Sequence, residues 1–233
     1  MTFLDSLNKQ QKEAVTAPNG SVLVLAGPGS GKTRVLTHRI AYLIGTQKVN
    51  PFHMLAVTFT NKAARVMESR VFDLLGLDQR GMMIGTFHSV CARILRREAK
   101  NLGYTQDFSI YDEDDQQALV KRAIRELNID DKAFRPASML SAISRAKNDM
   151  LLPDKLEVKG YRDQVLQRVY KRYQELLLSC NALDFDDLLL VTARLLAEFP
   201  DINRVYSQRF EHILVDEFQD TNTPQYTLLK SLS

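Results

Sequence analysis

The chain predicts an α/β fold, a parallel sheet flanked by helices, and three observations carry that expectation. Short apolar runs alternate with helical patterns through residues 1–99. A glycine-rich loop joins the first apolar run to the first helical pattern. A last apolar run, far downstream, ends in two adjacent acids. Strand–helix alternation of this kind builds parallel sheets whose two faces are covered by helices.

The apolar runs are Val22–Ala26, Met54–Phe59, Met82–Thr86 and Ile213–Val215. Each is short and continuous, as a strand buried on both faces must be. Helical patterns follow the first three. Lys32–Ile44 opens at the glycine loop. Asn61–Leu75 carries Ala63, Val66, Met67 and Val71 at helical spacing, and Phe87–Ala99 follows the third run. Between residues 90 and 208 the strand signal disappears. Helical stretches take over at Glu113–Leu127, Pro136–Asn148, Arg162–Ser179, Phe185–Glu198 and Ile202–Phe210. Asp112 and Asp184 suit N-caps, and Pro136 suits a first helical turn. Tyr161, Val165, Tyr170, Tyr173 and Leu177 share one helical stripe and read as core rather than as a base-stacking surface.

Residues 90–208 therefore read as an all-helical subdomain inserted into an α/β domain made of 1–89 and 209–233. The sheet resumes at Ile213, and Asn222–Leu232 reads as the helix after it. Because the sequence stops at Ser233, the sheet is expected to be incomplete and the chain to be the front portion of a longer protein.

The bulk properties suit a globular domain. Of the 233 residues, 45% are hydrophobic and 25% charged, ordinary values for a water-soluble fold. No apolar stretch reaches the length of about 18 residues that a membrane-crossing helix needs. The opening Met1–Ser6 has no basic segment followed by an apolar one, so no secretory signal is expected. Cys91 and Cys180 lack metal-type spacing and read as core residues of a reduced, cytoplasmic protein. The net charge of +3 is unevenly spread. Residues 1–89 carry 10 Lys/Arg against 5 Asp/Glu, residues 90–208 carry 19 of each, and residues 209–233 carry 2 against 4. The positive excess sits with the glycine loop, where phosphate ligands or a nucleic-acid backbone would favour it; a solvated basic face accounts for the charge equally well.

The loop is Ala26-Gly27-Pro28-Gly29-Ser30-Gly31-Lys32-Thr33. Between a strand and a helix, such a sequence cradles phosphates. Its glycines let backbone N–H groups curl around phosphate oxygens, and the helix start adds its positive dipole end. Lys32 would reach the β- and γ-phosphates, and the Thr33 hydroxyl would ligate Mg²⁺. The strict pattern has Gly where Ala26 stands, a small departure in side-chain size. Arg34 either helps hold nucleotide or is an ordinary surface arginine. At the end of the last strand, Asp216 would hold Mg²⁺ and Glu217 would orient and deprotonate an attacking water. Alone, these acids could equally begin a helix. Paired with the loop, they point to nucleotide hydrolysis with ATP and Mg²⁺ as ligands.

The segment Asp216-Glu217-Phe218-Gln219-Asp220-Thr221-Asn222 resembles the second motif of the UvrD/Rep/PcrA helicases of superfamily one. Further segments resemble that family in its order. They are Leu7-Asn8-Lys9-Gln10-Gln11, Thr58-Phe59-Thr60-Asn61-Lys62-Ala63-Ala64, Gly85-Thr86-Phe87-His88-Ser89 and Asp184-Phe185-Asp186-Asp187-Leu188-Leu189. The resemblance implies a RecA-like fold, with 1–89 and 209–233 as subdomain 1A and 90–208 as subdomain 1B. It implies ATP-driven translocation on single-stranded DNA, typically 3′ to 5′, with unwinding at single/double-strand junctions. It also implies a second RecA-like domain as partner, supplied by the same longer chain. By the same resemblance Gln11 reads adenine and Gln219 lies near the γ-phosphate and the DNA. Phe59, Thr60, Asn61, Lys62, Thr86, His88 and Ser89 line the DNA groove. Hydroxyl and amide donors suit phosphates and an aromatic suits a base face. Phe59 also reads as core, His88 as an intrachain donor and Lys62 as a solvated helix residue.

Other functions fit parts of the pattern. A translocase that strips partners with little unwinding shares every motif, as does a subunit of an AddA/RecB-like helicase-nuclease. A P-loop kinase needs neither Phe218–Asn222 nor Thr86–Ser89. A DNA- or partner-binding module without catalysis would use the same surfaces.

Overall fold

The computed structural model describes residues 3–76 and 81–233; Met1 and Thr2 of the opening hexapeptide, and residues 77–80, lie outside the described residues. In chain order the elements are α1 (Lys9–Thr16), α2 (Lys32–Gly45), β1 (Met54–Thr58), α3 (Asn61–Leu75), β2 (Met83–Thr86), α4 (Phe87–Glu98), β3 (Ser109–Tyr111), α5 (Glu113–Glu126), α6 (Pro136–Asn148), α7 (Tyr161–Ser179), β4 (Ala182–Asp184), α8 (Phe185–Glu198), α9 (Pro200–Arg209), β5 (His212–Val215) and α10 (Thr223–Leu232), with short 3-10 turns between some of them. The chain divides into two units, residues 1–90 with 204–220 and 232–233, and residues 91–203 with 221–231. No helix among the described residues is long and apolar enough to cross a membrane.

In the first unit β1 is the centre of a parallel sheet ordered β2–β1–β5. Ala56 stands opposite Ile84 on one side and Leu214 on the other. Every residue of β1 is buried, which is why its sequence shows no polar alternation. Ile40 and Leu43 of α2, and Ala64, Met67 and Val71 of α3, pack with Met54, Ala56 and Ile84 as one core. The Thr60 hydroxyl starts α3 by accepting from the Ala63 N–H at 3.1 Å, and Gly76 ends it at φ +62°. Helix α1 packs on α2 through Leu7, Val15 and Val35. Its C-terminal carbonyls are taken by Arg39, which donates to Val15 O at 2.8 Å and Ala17 O at 2.6 Å.

The expected strand at Val22–Ala26 is not formed. The segment carries no regular secondary structure and has no strand partner among the described residues. Val22, Leu23, Val24 and Leu25 are exposed, Leu25 by 86%. An apolar run records suitability for a sheet interior; the strand itself needs a neighbour for its N–H and C=O groups, which a local pattern cannot supply.

In the second unit α5, α6 and α7 enclose a core of Leu119, Val120, Ile124, Ile143, Val165 and Leu176. The all-helical expectation needs correction. Strands β3 and β4 pair in parallel, Ile110 opposite Leu183. Each has only three residues, too few for an alternation to register. Asp112 and Asp184 cap α5 and α8, and Pro136 opens α6. Of the aromatic stripe, Val165, Tyr170, Tyr173 and Leu177 are buried, whereas Tyr161 is exposed at the first position of α7. Cys91 is buried as expected, but Cys180 is exposed, because it follows the last turn of α7.

The polar centre of this unit is a fully buried lysine. Lys147 Nζ lies 2.5 Å from Asp184 Oδ2 and 2.8 Å from Asp187 Oδ1. Tyr173 Oη donates to Asp184 Oδ2 at 2.9 Å. The two acids also cap α8 reciprocally, Asp184 accepting from Asp187 N at 2.8 Å. Burial opposes the charge on Lys147, but its two carboxylate neighbours outweigh burial and raise its pKa. One cation cannot neutralise two acids. Burial works against the Asp184 charge too, but Lys147 outweighs it and holds that acid low. Burial together with the Asp184 charge pushes Asp187 up to about 6.

The sign of the resulting pH dependence is fixed. An acid whose pKa is raised on folding binds its proton more tightly in the folded state, so it stabilises the fold when protonated. That contribution is lost as pH rises from the ordinary value of 3.8 to about 6. Asp184, shifted the opposite way, titrates below this window. The stability of the wild type minus that of Asp187→Asn is therefore expected to fall between pH 4 and pH 6, the window bounded by those values. Urea unfolding at both pH values reads it, and an unchanged difference would contradict the assignment.

Candidate functional site

The glycine loop ends where α2 begins. Gly31 occupies the N-cap position at φ +89° and offers no capping side chain. The first helical bond is Val35 N–H to Gly31 O at 2.9 Å. The N–H groups of Lys32, Thr33 and Arg34 thus have no partner within the helix, as at any uncapped N-terminus. Gly29 is also left-handed, at φ +74°. A Cβ built at Gly27 or Gly29 meets nothing within 4 Å, so both glycines border open space. Ser30 folds onto the loop itself, its N–H and hydroxyl reaching Gly27 O at 3.3 and 2.6 Å. Pro28 and Ala26 complete the turn, and Lys32 Nζ donates to Ala26 O at 3.4 Å. Amide donors without helical partners, a helix start and an ammonium form a donor set that fits a polyphosphate.

The acids arrive from β5. Asp216 N donates to Val57 O at 3.0 Å, which extends the β1–β5 ladder by one residue. This places the Asp216 carboxylate, 7% exposed, beside α2, where Oδ2 accepts from the Thr33 hydroxyl at 3.3 Å. Burial first, then the Glu217 charge, raises the Asp216 pKa, with Thr33 opposing. Glu217 adopts φ +53°, a conformation that costs an L-residue about 1–2 kcal/mol and persists where surroundings enforce it. Its Oε2 lies 3.9 Å from Lys32 Nζ and accepts from Gln219 Nε2 at 2.6 Å; Gln219 also reaches Asp220 Oδ2 at 3.4 Å. The fold thus brings Lys32, Thr33, Asp216, Glu217 and Gln219 to one place. Thr33 and Asp216 together present hard oxygen donors. The described residues hold no group of three or more His, Cys, Asp or Glu placed to hold a metal ion. Such a sparse set suits Mg²⁺, which keeps waters and substrate oxygens in its shell.

Gln11 and Arg34 are engaged within the protein. Gln11 Nε2 donates to Ser30 O at 3.0 Å, and its Oε1 accepts from Asn8 N at 3.1 Å in the capping box of α1. Arg34 donates to Ser6 O at 2.8 Å. Gln11 ties α1 to the loop, and Arg34 ties the turn that ends at Ser6 to α2. A Cβ at Gly31 would stand 3.1 Å from Gln11 Nε2. Gly31→Ala is therefore expected to destabilise the fold by roughly 1–2 kcal/mol through left-handed strain, and to push Gln11 off Ser30. A denaturant midpoint equal to wild type would show that the loop relaxes instead.

The residues expected to meet DNA lie at the ends of β1 and β2. Phe59 is half-buried and packs edge-on against Phe87, with ring centroids 5.9 Å apart. Thr60 caps α3, and Asn61 and Lys62 are exposed in its first turn. The Thr86 hydroxyl accepts from Ser89 N at 3.2 Å, and the Ser89 hydroxyl donates to Thr86 O at 2.9 Å. Burial lowers the His88 pKa to about 4, so its imidazole is neutral at neutral pH and brings no charge to a phosphate. Gly85 leaves room for the Ser89 hydroxyl, with which a Cβ there would collide. Sequence reasoning passed over Lys147 and Asn148. The three acids at Asp184, Asp186 and Asp187 were the available signal, since buried acids demand a cation.

A family model described as the UvrD/REP helicase N-terminal domain matches residues 7–233. The chain is 48% identical over 233 residues to a Bacillus subtilis protein named ATP-dependent DNA helicase PcrA, covering 99% of this chain and 32% of that protein. Proteins of the same name from Staphylococcus aureus and Staphylococcus epidermidis are 46% and 45% identical over the same shares. The chain thus spans about a third of the length of the curated relatives it matches.

Proposed function

Because the chain belongs to the UvrD/REP helicase N-terminal domain family, we propose that it is the nucleotide-binding portion of an ATP-dependent DNA helicase that translocates 3′ to 5′ on single-stranded DNA. The observation that carries this is the convergence of Lys32, Thr33, Asp216 and Glu217 from the starts and ends of separate elements. The loop N–H groups and Lys32 bind the phosphates of ATP. Thr33 and Asp216 would hold Mg²⁺, which supplies positive charge against the triphosphate oxygens. Glu217 orients the attacking water and takes its proton at Oε2. Gln219 holds the Glu217 carboxylate in place. Arg34 and Gln11 brace the loop, and Gln11 is positioned beside the loop to meet the base.

In this reading residues 1–89 and 209–233 form subdomain 1A, residues 90–208 form subdomain 1B, and the protein acts on cytoplasmic DNA. Phe59, Thr60, Asn61, Lys62, Thr86, His88 and Ser89 hold the strand near a single/double-strand junction. The exposed apolar run Val22–Leu25 supports a sheet completed by strands from the remaining length of the parent protein. A second RecA-like domain from that same length would close over the nucleotide, so the 233-residue chain by itself should turn over ATP poorly and unwind no DNA. The test is Mg²⁺-nucleotide binding, phosphate release and strand displacement by this chain, with and without single-stranded DNA, against Lys32→Ala as blank. Nucleotide binding lost in the blank supports the site. Equal binding by both proteins would remove it, and DNA unwinding by the 233-residue chain would overturn the need for a second domain.

A further inference from the structure

Helix α1 has little of its own to hold it. It spans eight residues and buries only Val15, and so short a helix is marginal in water without tertiary support. That support comes from α2. Leu7 and Val15 pack on Val35, with Tyr42 partly buried against them. Ahead of the helix, Arg34 donates to Ser6 O at 2.8 Å. Behind it, Arg39 collects three carbonyls. Its Nη1 donates to Val15 O at 2.8 Å and Ala17 O at 2.6 Å, and its Nη2 to Pro18 O at 3.5 Å. The last carbonyls of a helix have no partner within it, and a cation there also meets the negative end of the helix dipole. Arg39 is half-buried, and its guanidinium stands 5.9 Å from the centre of the Tyr42 ring. All of these residues belong to the first unit.

What α1 brings to the loop is Gln11. Its Nε2 donates to Ser30 O at 3.0 Å and its Oε1 accepts from Asn8 N at 3.1 Å. A carbonyl only accepts and a backbone N–H only donates, so the amide has a single orientation. These bonds use one N–H and one acceptor position of a group that has two of each. A donor and an acceptor are left on one amide. Adenine offers the complement, with N7 accepting and its N6 amino group donating, whereas guanine shows two acceptors, N7 and O6. Slippage of α1 would displace this amide and leave Lys32 and Thr33 in place, because α2 carries them.

We propose that Arg39 is a positioning residue for base choice: by clamping the C-terminal end of α1 to α2 it holds Gln11 at the loop, so that the site favours adenine over guanine nucleotides. Base choice rests on the nucleotide reading of the loop; the clamp itself does not. Arg39 acts through α1, so its loss should weaken ATP and spare GTP.

The experiment is equilibrium binding of Mg²⁺-ATP and Mg²⁺-GTP to the 233-residue chain, in a cycle of Arg39→Met, Gln11→Ala and the double variant. The wild type is expected to favour ATP by about ten- to a hundredfold, the range for one amide paired with a base edge. Arg39→Met should cut that preference by about fivefold or more, with GTP binding within a factor of about two. In the Gln11→Ala background the same substitution should leave the preference unchanged, because both changes act on one contact. In the nucleotide-free chain Arg39→Met should also speed amide exchange along α1 and leave β1 and α3 as they were. Arg39→Lys keeps a cation at the helix end without the guanidinium fork, and carries the same cycle where Arg39→Met does not fold. Equal weakening of both nucleotides, an equal loss of preference in the Gln11→Ala background, or unchanged exchange along α1 would overturn the proposal. So would a wild type that binds both nucleotides alike, with the phosphate site intact. A wild type that binds neither nucleotide better than Lys32→Ala would instead remove the nucleotide reading and base choice with it, and exchange along α1 would still decide the clamp.

Discussion

Glu217→Gln is expected to lower ATP turnover by roughly 10²–10⁴-fold, the scale of a lost general base, while Mg²⁺-nucleotide binding is kept. The substitution is nearly isosteric. The new amide oxygen can still accept from Gln219 Nε2, which now reaches Glu217 Oε2 at 2.6 Å. What disappears is a proton acceptor and one negative charge. That charge is among the causes that raise the Asp216 pKa, so its removal makes the Asp216 carboxylate easier to ionise. Binding of Mg²⁺-ATP should therefore equal or exceed that of the wild type, in contrast to Lys32→Ala. Equilibrium binding and single-turnover phosphate release separate the two effects. Turnover within a few-fold of wild type would show that another group takes the proton.

The second large effect is on stability. Lys147→Met should destabilise the fold by about 3–5 kcal/mol, the cost of leaving buried charge without its partner. Two carboxylates would remain at Asp184 and Asp187, both under 2% exposed. Methionine has similar length, so the loss is electrostatic and leaves no cavity. Combining Lys147→Met with Asp184→Asn and Asp187→Asn removes all three charges. Asparagine still caps a helix, and a neutralised buried ion triad is often no less stable than the original. The triple variant is thus expected to recover most of the loss in urea unfolding. A single variant as stable as wild type would mean that the acids take up protons at little cost. A triple variant as poor as the single would mean that hydrogen bonding from Lys147, rather than charge balance, holds the site.

Local chemistry was legible wherever it is contiguous. The uncapped helix start at Gly31 follows from Gly-Lys-Thr after an apolar run, and Asp112, Asp184 and Pro136 announced their helix ends. Helix α1 was passed over because it is polar on nearly every side and buries only Val15; the Asn8 and Gln11 spacing of its capping box was the readable clue. The short strands β3 and β4 carry no alternation of their own.

By itself the sequence determined what depends on neighbours along the chain: the turn that frees amide donors before α2, the caps, the buried run of β1 and the two acids that leave β5. The tertiary structure alone decided what depends on distant partners. It left Val22–Leu25 without a strand to pair with among the described residues, turned Gln11 onto Ser30 and Arg34 onto Ser6, and buried Lys147 between Asp184 and Asp187. The physical reason is common to all of these. Hydrogen-bond pairing and desolvation are properties of two groups brought together, whereas propensity and periodicity belong to one segment alone.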